Sequence, residues 1–311
     1  MNHPHTVAST GNGLRTPVRR CVIHGMTILC VEPRVDALTE IAEALATWQH
    51  DDTPMQLHPG DLGWFRRFGP ETAAAAVRTW SRDGRILAVG LLDEPALLRL
   101  TTAPEARRDD ELAARIASDL AAPGRVLPAG KAYVEVPVDA RLRELLSQGG
   151  WADDESRTPL RHDLTEPVAD PGLRIAVAGP GQVSDRVTVQ RAAFESSTFT
   201  EERWHAMAAG PRYTEARCLV GYDDEDTPVA AVTVWSAGPG RPGLIEPMGV
   251  HRDHRGRGHG TAITVAAAAA LREMGASTAI VCTGTGNTGA VATYRAAGFR
   301  PLPEVRDLRR D

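Results

Sequence analysis

Residues 251–261 decide the fold of this chain, and they read His251-Arg-Asp-His-Arg-Gly-Arg-Gly-His-Gly-Thr261. An apolar segment that ends in Pro247-Met-Gly-Val250 comes directly before this stretch and is typical of a strand. An alanine-rich run over 261–271 follows it and predicts a helix. A strand, a glycine-rich loop and a helix, in that order, form the layout of an anion-binding turn.

The composition of this loop favours a phosphate as the anion. Three alternate glycines allow neighbouring backbone N–H groups to point at one anion with no Cβ in the way: Gly256, Gly258 and Gly260. The helix N-terminus adds about half a positive charge at the same point. Three arginines add fixed positive charge: Arg252, Arg255 and Arg257. The alternative is a tight turn ahead of a helix, with no ligand.

The whole-chain composition is that of a globular protein. A length of 311 residues predicts two domains, with 42% apolar and 24% charged residues. The net charge of −5 shows no nucleic-acid footprint, and no apolar run approaches the roughly 18 residues of a membrane span. No two of the four cysteines are spaced as a metal or redox pair. Residues 1–26 are polar, lack the apolar stretch of a signal peptide and predict a disordered tail, so we expect a cytoplasmic protein.

The chain contains an internal repeat. Shifted by 148 positions, 97–102 falls on 245–250, 111–120 on 259–268, and 133–136 on 281–284, so that strand, helix and strand coincide. We therefore predict one domain over 27–165 and a second over 172–311, with the boundary near 165–172, and we allow that a strand at 159–164 closes the first domain. Opposite Arg255-Gly-Arg-Gly258 the first copy has Arg107-Arg-Asp-Asp110, with no glycine and two carboxylates. It is expected not to bind the same anion.

The second half resembles the GNAT superfamily of acyltransferases. The superfamily loop, (Q/R)-x-x-G-x-(G/A), is matched by Arg255, Gly258 and Gly260. A second block, N-x-x-A-x-x-x-Y-x-x-x-G-F, is matched at five positions: Asn287, Ala290, Tyr294, Gly298 and Phe299. The resemblance covers about 140 residues from Leu173 onward and is much weaker in the first half. It implies tandem α/β folds, each a mixed, mostly antiparallel sheet flanked by helices, with a degenerate first copy, as in the mycothiol-synthase-like proteins.

The resemblance also implies that acetyl-CoA is the acyl donor. In the family the strand before the loop diverges from the next strand, and the cofactor arm lies in the gap. Carried over to this sequence, the cofactor-binding residues are Met248, Gly249, Val250, Arg255, Gly256, Arg257, Gly258, His259, Gly260, Thr261, Asn287 and Tyr294. No metal is expected, because the histidines near 251–259 lie in a flexible basic loop without converging ligands.

Two residues are candidates for the catalytic chemistry. Tyr294 falls where the family places a tyrosine near the thioester sulfur, and a phenol is able to protonate the departing thiolate. The alternative for Tyr294 is packing. Glu246 precedes the loop, and strand periodicity places it on the face of Met248 and Val250, where a carboxylate is suited to deprotonating an amine. The alternative for Glu246 is to orient the substrate or pair with an arginine.

The acceptor is predicted only as a class, a primary amine of a small molecule. Residues that either shape its site or belong to the core are Phe194, Glu195, Phe199, Trp204, Tyr213 and Trp235. The acidic turn 223–226 is either simply solvated or attracts a cationic acceptor. The first half forms either one wall of the acceptor cleft or a homodimer surface, and neither nucleic acid nor membrane is an expected partner. The rival functions are a non-catalytic acyl-CoA-binding regulator and a protein or peptide N-acetyltransferase.

Overall fold

The computed structural model describes residues 27–311, so the predicted tail at 1–26 lies outside the described residues. The first half contains eleven elements, in chain order β1 (Leu29–Val31), α1 (Leu38–Thr47), α2 (Pro59–Phe65), α3 (Pro70–Ala76), β2 (Val77–Arg82), β3 (Arg85–Glu94), β4 (Leu97–Thr102), α4 (Asp110–Ala121), β5 (Ala132–Glu135), α5 (Arg141–Gln148) and β6 (Ala152–Asp163). The second half also contains eleven, β7 (Arg174–Val177), α6 (Val183–Ala193), α7 (Glu201–Ala208), β8 (Ala216–Tyr222), β9 (Pro228–Trp235), β10 (Gly243–Val250), α8 (His259–Glu273), β11 (Thr278–Gly284), α9 (Thr288–Ala296), β12 (Arg300–Pro301) and β13 (Val305–Arg310). No helix within 27–311 is long and apolar enough to cross a membrane.

All thirteen described strands belong to one mixed sheet. Its order is β1-β2-β3-β4-β5-β13-β6-β11-β10-β9-β8-β7, and β12 pairs with β6 beside this path. The pairs β4–β5 and β10–β11 are parallel, and the others are antiparallel. Helices flank the sheet, so the predicted fold class is confirmed.

The two halves exchange their last strands. The strand at 159–164, expected to close the first half, is part of β6 and pairs with β11 of the second half. In return β13, the last strand of the chain, pairs with β5 of the first half. The cores follow this exchange, because Leu308 is buried in the first-half core and Leu160 in the second-half core. The predicted closing strand is therefore wrong, although the boundary near 165–172 still falls between β6 and β7.

The segment 71–80 changes from helix to strand part of the way along. Pro70 begins α3, since a proline at the first helical position loses no hydrogen bond, and the helix ends at Ala76. The following Val-Arg-Thr-Trp run favours a strand, and Trp80 is fully buried with its indole N–H donating to Asp119 at 2.9 Å. The sequence pattern predicts a helix over 71–80, and this prediction is wrong beyond Ala76.

Candidate functional site

The glycine loop leads into a helix whose first turn carries no side-chain cap. The residue before α8 is Gly258, with φ 86°, and Gly256 has φ 77°, a left-handed conformation that favours glycine. The corresponding helix of the first copy, α4, is capped by Asp109, which accepts a hydrogen bond from the Leu112 N–H at 2.9 Å. In α4 a first-turn N–H group is thus satisfied by a side chain of the chain itself. The corresponding N–H groups of α8 have no side-chain cap and are available for a ligand.

Two of the three loop arginines bond to the end of a neighbouring helix. Arg252 donates to the Ala192 carbonyl at 2.9 Å, and Arg255 donates to the Ala193 carbonyl at 2.7 Å. These carbonyls form the negative end of α6, which explains the attraction. The loop is thereby fixed against α6, while Arg257 remains exposed. The positive charge at the loop thus has a structural role as well as an electrostatic one.

A groove opens beside this loop where two strands diverge. The parallel ladder between β10 and β11 ends at Leu244 and Ile280, although β10 continues to Val250. The groove has a volume of about 700 Å³. Ten of the twelve residues predicted to bind the cofactor line it, namely Met248, Gly249, Val250, Arg255, Gly256, Gly258, His259, Gly260, Thr261 and Asn287. Arg257 and Tyr294 are not part of its lining.

The close approach of helices to this groove explains two of its glycines. A Cβ at Gly249 would lie 2.6 Å from the Ala193 Cβ at the end of α6. A Cβ at Gly260 would lie 3.0 Å from Cγ2 of Thr293 in α9. Ala193, Thr293 and Phe194 also line the groove, and the sequence reasoning assigned none of them to it. Ala193 and Phe194 lie at the end of α6, which the loop arginines bind, and Thr293 lies in α9.

Asn287 has a structural role at the start of α9. It is the N-cap of that helix, and its side chain accepts a hydrogen bond from the Ala290 N–H at 3.2 Å. The spacing from Asn287 to Ala290 is therefore the spacing of a helix cap. Because Asn287 also lines the groove, the cap holds a polar amide at the point where a ligand would pass.

Tyr294 is buried beneath the groove. It is 6% exposed, and its ring lies 6.1 Å from that of Phe299. Within residues 27–311, no hydrogen bond to its hydroxyl is formed. Burial raises the pKa of Tyr294 above its usual range, and nearby Glu246 and Cys282 raise it further. The phenol is thus held in its protonated form, able to donate a hydrogen bond.

Glu246 faces away from Met248 and Val250. A bulge in β10 shifts the register between Ile245 and Met248, so that Ile245 takes the face of Met248. The period-two placement of Glu246 on that face is therefore wrong. Its carboxylate points toward the first half, 4.0 Å from Arg99 Nη1, and its backbone carbonyl accepts from Trp235 at 2.8 Å.

The surroundings of Glu246 form what we call the Arg99 cluster, with Asp61, Asp93, Glu135 and Arg67. Arg99 is 9% exposed and bonds Asp61 at 2.8 Å and Glu135 at 2.9 Å. Burial raises the pKa of Glu246; the Asp93 and Glu135 carboxylates raise it further, against the lowering effect of Arg99 and Arg67. A carboxylate with a raised pKa is a better proton acceptor, as a general base requires.

The other candidates are resolved by their burial. Phe199, Trp204 and Trp235 belong to the core, and Tyr213 stands edge-on between the two tryptophan rings. Asp223 accepts hydrogen bonds from the N–H groups of its own turn at 3.0 and 2.9 Å. No group of three metal-ligating side chains occurs in the part of the chain that the structure describes.

The first copy fills its own version of the site. Arg107, which aligns with Arg255, is 6% exposed and turns inward. It donates to the Gln56 side chain at 2.6 Å and lies 3.3 Å from the Asp139 carboxylate. Side chains of the first half therefore occupy the space beside α4 that stays open beside α8.

Comparison with known proteins identifies related folds. Residues 186–299 match the model of the acetyltransferase (GNAT) family. A mycothiol acetyltransferase of Cellulomonas flavigena is 33% identical over 155 residues, covering 45% of this chain and 44% of that protein. The chain thus spans less than half the length of this curated relative.

Solved structures resemble the chain over nearly its whole length. A GCN5-related N-acetyltransferase from Sphaerobacter thermophilus has a TM-score of 0.56 at 19% identity, covering 91% of this chain and 95% of that chain. A tandem GNAT protein from the clavulanic acid biosynthesis pathway has a TM-score of 0.56 at 16% identity, covering 91% and 98%. At such identities the likeness shows the fold alone.

Proposed function

We propose, from the premise that residues 186–299 form a domain of the GNAT acetyltransferase family, that this chain is an acetyl-CoA-dependent N-acetyltransferase. The acceptor is a primary amine of a small molecule, and transfer occurs in the second half. One observation carries the proposal: the groove that starts at the uncapped N-terminus of α8 runs into the open edge between β10 and β11.

The groove fits acetyl-CoA as the donor substrate. Its volume of about 700 Å³ falls within the range of about 300–1,000 Å³ that is typical of ligand sites. The pyrophosphate suits the amides of the 255–260 loop, where a left-handed backbone and missing Cβ atoms leave space for an anion. The thioester arm suits the β10 edge at Met248–Val250, whose backbone groups toward β11 have lost their ladder partners.

The opposite side of β10 suits the amine. Glu246 points there, toward the Arg99 cluster, in which four carboxylates surround two guanidiniums. Burial raises the pKa of Asp61 to about 8, and the pKa of Glu246 is raised as well, so an ammonium ion placed beside them would stabilise their ionised forms, which favours a cationic acceptor. The donor on the α8 side and the acceptor on the first-half side meet at the open edge between the strands. This arrangement makes the first half one wall of the acceptor cleft.

The chemistry requires two proton transfers. Glu246 accepts a proton from the ammonium through water, and the free amine nitrogen attacks the thioester carbonyl carbon. The carbon–nitrogen bond forms and the carbon–sulfur bond breaks, while backbone N–H groups of the Met248–Val250 edge stabilise the oxyanion. Tyr294 donates a proton to the departing thiolate and takes up the second proton of the attacking nitrogen, so that the net second transfer runs from nitrogen to sulfur. The products are an amide and coenzyme A.

The rival functions make different demands. The name of the Cellulomonas flavigena relative supports a narrower acceptor, that of a mycothiol acetyltransferase, on 33% identity over 155 residues. A regulator would bind acetyl-CoA without turnover, and a protein N-acetyltransferase would act on peptide amines. Glu246 and Tyr294, on opposite sides of the open edge, favour turnover over simple binding.

The test is a two-part assay on the full chain. Calorimetry measures acetyl-CoA binding, and mass spectrometry searches a panel of small amines, peptide amines and the mycothiol enzyme's acceptor for the gain of one acetyl group. Binding with transfer to a small amine supports the proposal. Binding without consumption of any amine favours the regulator, acetylation of peptides alone favours the protein-directed enzyme, and absence of binding overturns all three.

Asp93 tests the role of the first half separately. It belongs to β3 and lies 3.9 Å from Arg99, outside the donor groove. We expect Asp93→Asn to raise the KM for the amine about tenfold and leave acetyl-CoA binding unchanged, since it removes one charge from the acceptor wall. Glu105→Gln is the matched control, because Glu105 pairs with the exposed Arg85. If both variants leave the amine KM unchanged, the first half does not form this wall and the homodimer surface is favoured.

A further inference from the structure

A second cavity lies between the two halves, beside α2. Its volume is about 240 Å³. Its walls are mainly apolar and come from both halves, with Ala42 and Leu62 on one side and Met207 on the other. Val35 lines the mouth and is 38% exposed, so the cavity opens to solvent there. We refer to it as the α2 cavity.

Two half-buried arginines in this lining form no ion pair with any residue of 27–311. Arg66 and Arg212 both line the cavity. The Nε atom of each is buried and has no hydrogen-bond partner. Arg212 donates from Nη2 to the Ser236 carbonyl at 2.9 Å. Within residues 27–311, neither forms an ion pair.

The absence of ion-pair partners for these two arginines suggests that the ligand of the cavity is an anion. A half-buried guanidinium without an ion-pair partner is an unbalanced positive charge beside an apolar wall, and a carboxylate in the cavity would balance it. Burial lowers the pKa of Arg212, while Glu215 and Glu43 raise it from beyond ion-pair distance. A planar guanidinium fork matches a carboxylate, and two such forks beside an apolar wall match a molecule that is anionic at one end only.

We propose that the α2 cavity binds a small amphipathic carboxylate, with its apolar body between α1, α2 and α7 and its carboxylate on Arg66 and Arg212. The size of the ligand follows from the volume. A cavity of about 150 Å³ holds the six carbons of benzene, so 240 Å³ accommodates about ten non-hydrogen atoms at the same ratio. Octanoate and 3-phenylpropionate have this size and charge.

The inference does not rest on the proposed function. The α2 cavity shares no lining residue with the groove beside α8, and its occupant is anionic where the proposed acceptor is cationic. Because both halves line it, binding is expected to stabilise their packing. An occupied cavity therefore raises the unfolding midpoint of the full chain even if acetyl-CoA does not bind.

The experiment measures octanoate binding to the full chain by calorimetry and by thermal unfolding, in the absence of acetyl-CoA. Octan-1-ol and octylamine have the same chain length without the negative charge. The variants are Arg66→Gln, Arg212→Gln and the double variant. Arg85→Gln is the matched control, because Arg85 is exposed and does not line the cavity. Unliganded unfolding midpoints establish that each variant folds.

We expect octanoate to bind and to raise the unfolding midpoint, and 3-phenylpropionate to compete with it. Each arginine variant is expected to weaken binding about tenfold, as the loss of a charge-assisted hydrogen bond implies, and Arg85→Gln is expected to have no effect. The proposal is overturned if neither carboxylate binds, or if octan-1-ol binds as tightly as octanoate. It is equally overturned if the folded double variant binds octanoate as the wild type does.

Discussion

The proposed anion-binding role of the glycine loop predicts different consequences for two glycines with the same backbone geometry. Gly256 in the loop and Gly84 in the β2–β3 turn both have φ 77°. A Cβ added at either position meets no heavy atom within 4 Å. Gly256→Ala and Gly84→Ala therefore impose the same conformational penalty without a clash, and they differ only in what lies in front of them.

The size of each effect follows from this geometry. A residue with a Cβ in the left-handed region costs about 1–2 kcal/mol, so both variants should lose that much stability to urea. Gly256 also lines the groove beside α8. Its Cβ stands in the path of the ligand, or its loop relaxes and turns an N–H away from the anion. Loss of one charge-assisted hydrogen bond is worth about 1.5–3 kcal/mol, so the Kd for acetyl-CoA should rise at least about tenfold.

The assay pairs urea unfolding with calorimetric titration of acetyl-CoA. Gly84→Ala should lose stability and keep its affinity, and Gly256→Ala should lose both. Equal loss of stability with unchanged affinity in Gly256→Ala would refute the placement of the phosphates on this loop. Loss of affinity in both variants would show that the binding change reflects general destabilisation.

Three further predictions concern the reaction and the shared sheet. If the Tyr294 phenol protonates the thiolate, Tyr294→Phe should lower kcat about 10²–10⁴-fold with little change in KM. If Tyr294 only packs in the core, the steady-state rate of acetyl transfer should stay unchanged. Because the pKa of Glu246 is raised and its ionised form is the base, the rate should fall as pH drops through that raised pKa, and Glu246→Gln should lower the rate and remove this acid limb from the pH–rate profile. Leu308→Ala should cost about 2–5 kcal/mol and increase hydrogen exchange in β5, because this fully buried side chain packs in the first-half core; unchanged exchange in β5 would contradict the strand exchange.

The local pattern of the sequence was sufficient for the parts of the fold that depend on short-range physics. The strand, loop and helix around Gly258 follow from glycine spacing and an alanine run, and the repeat shows that the pattern occurs twice. The turn from α3 into β2 was missed because small alanines continue a helical spacing into Val77, where β-branched and aromatic side chains favour a sheet. The pairing of β2 with β3 decides where the helix ends, and the spacing of apolar residues along the chain carries no information about that pairing.

Long-range pairing accounts for the other misses. The exchange of β6 and β13 joins segments about 150 residues apart, and no local signal specifies which edge a short strand joins. The orientation of Glu246 depends on one bulge, which reverses the faces on either side of it. Periodicity placed the residue on the correct strand and the wrong face. The observed face brings Glu246 to Arg99 of the first half, and the proposal that this half borders the acceptor depends on that contact.

The two helix N-termini differ in whether a side chain occupies the amides of the first turn. In the first copy the Asp109 carboxylate occupies the amides of the first turn of α4, and Arg82 pairs with that carboxylate at 3.1 Å. Arg107 then fills the adjacent space through Gln56. In the second copy Gly258 replaces the cap, at a cost of only a few tenths of a kcal/mol for glycine in place of aspartate. The same backbone N–H groups cannot donate to a capping carboxylate and to a phosphate at once, so a capped first turn excludes a bound phosphate. Because this difference in stability is so small, we expect the two loops to differ mainly in their affinity for an anion. Restoring a glycine at Asp109 alone would leave Arg107 in the way.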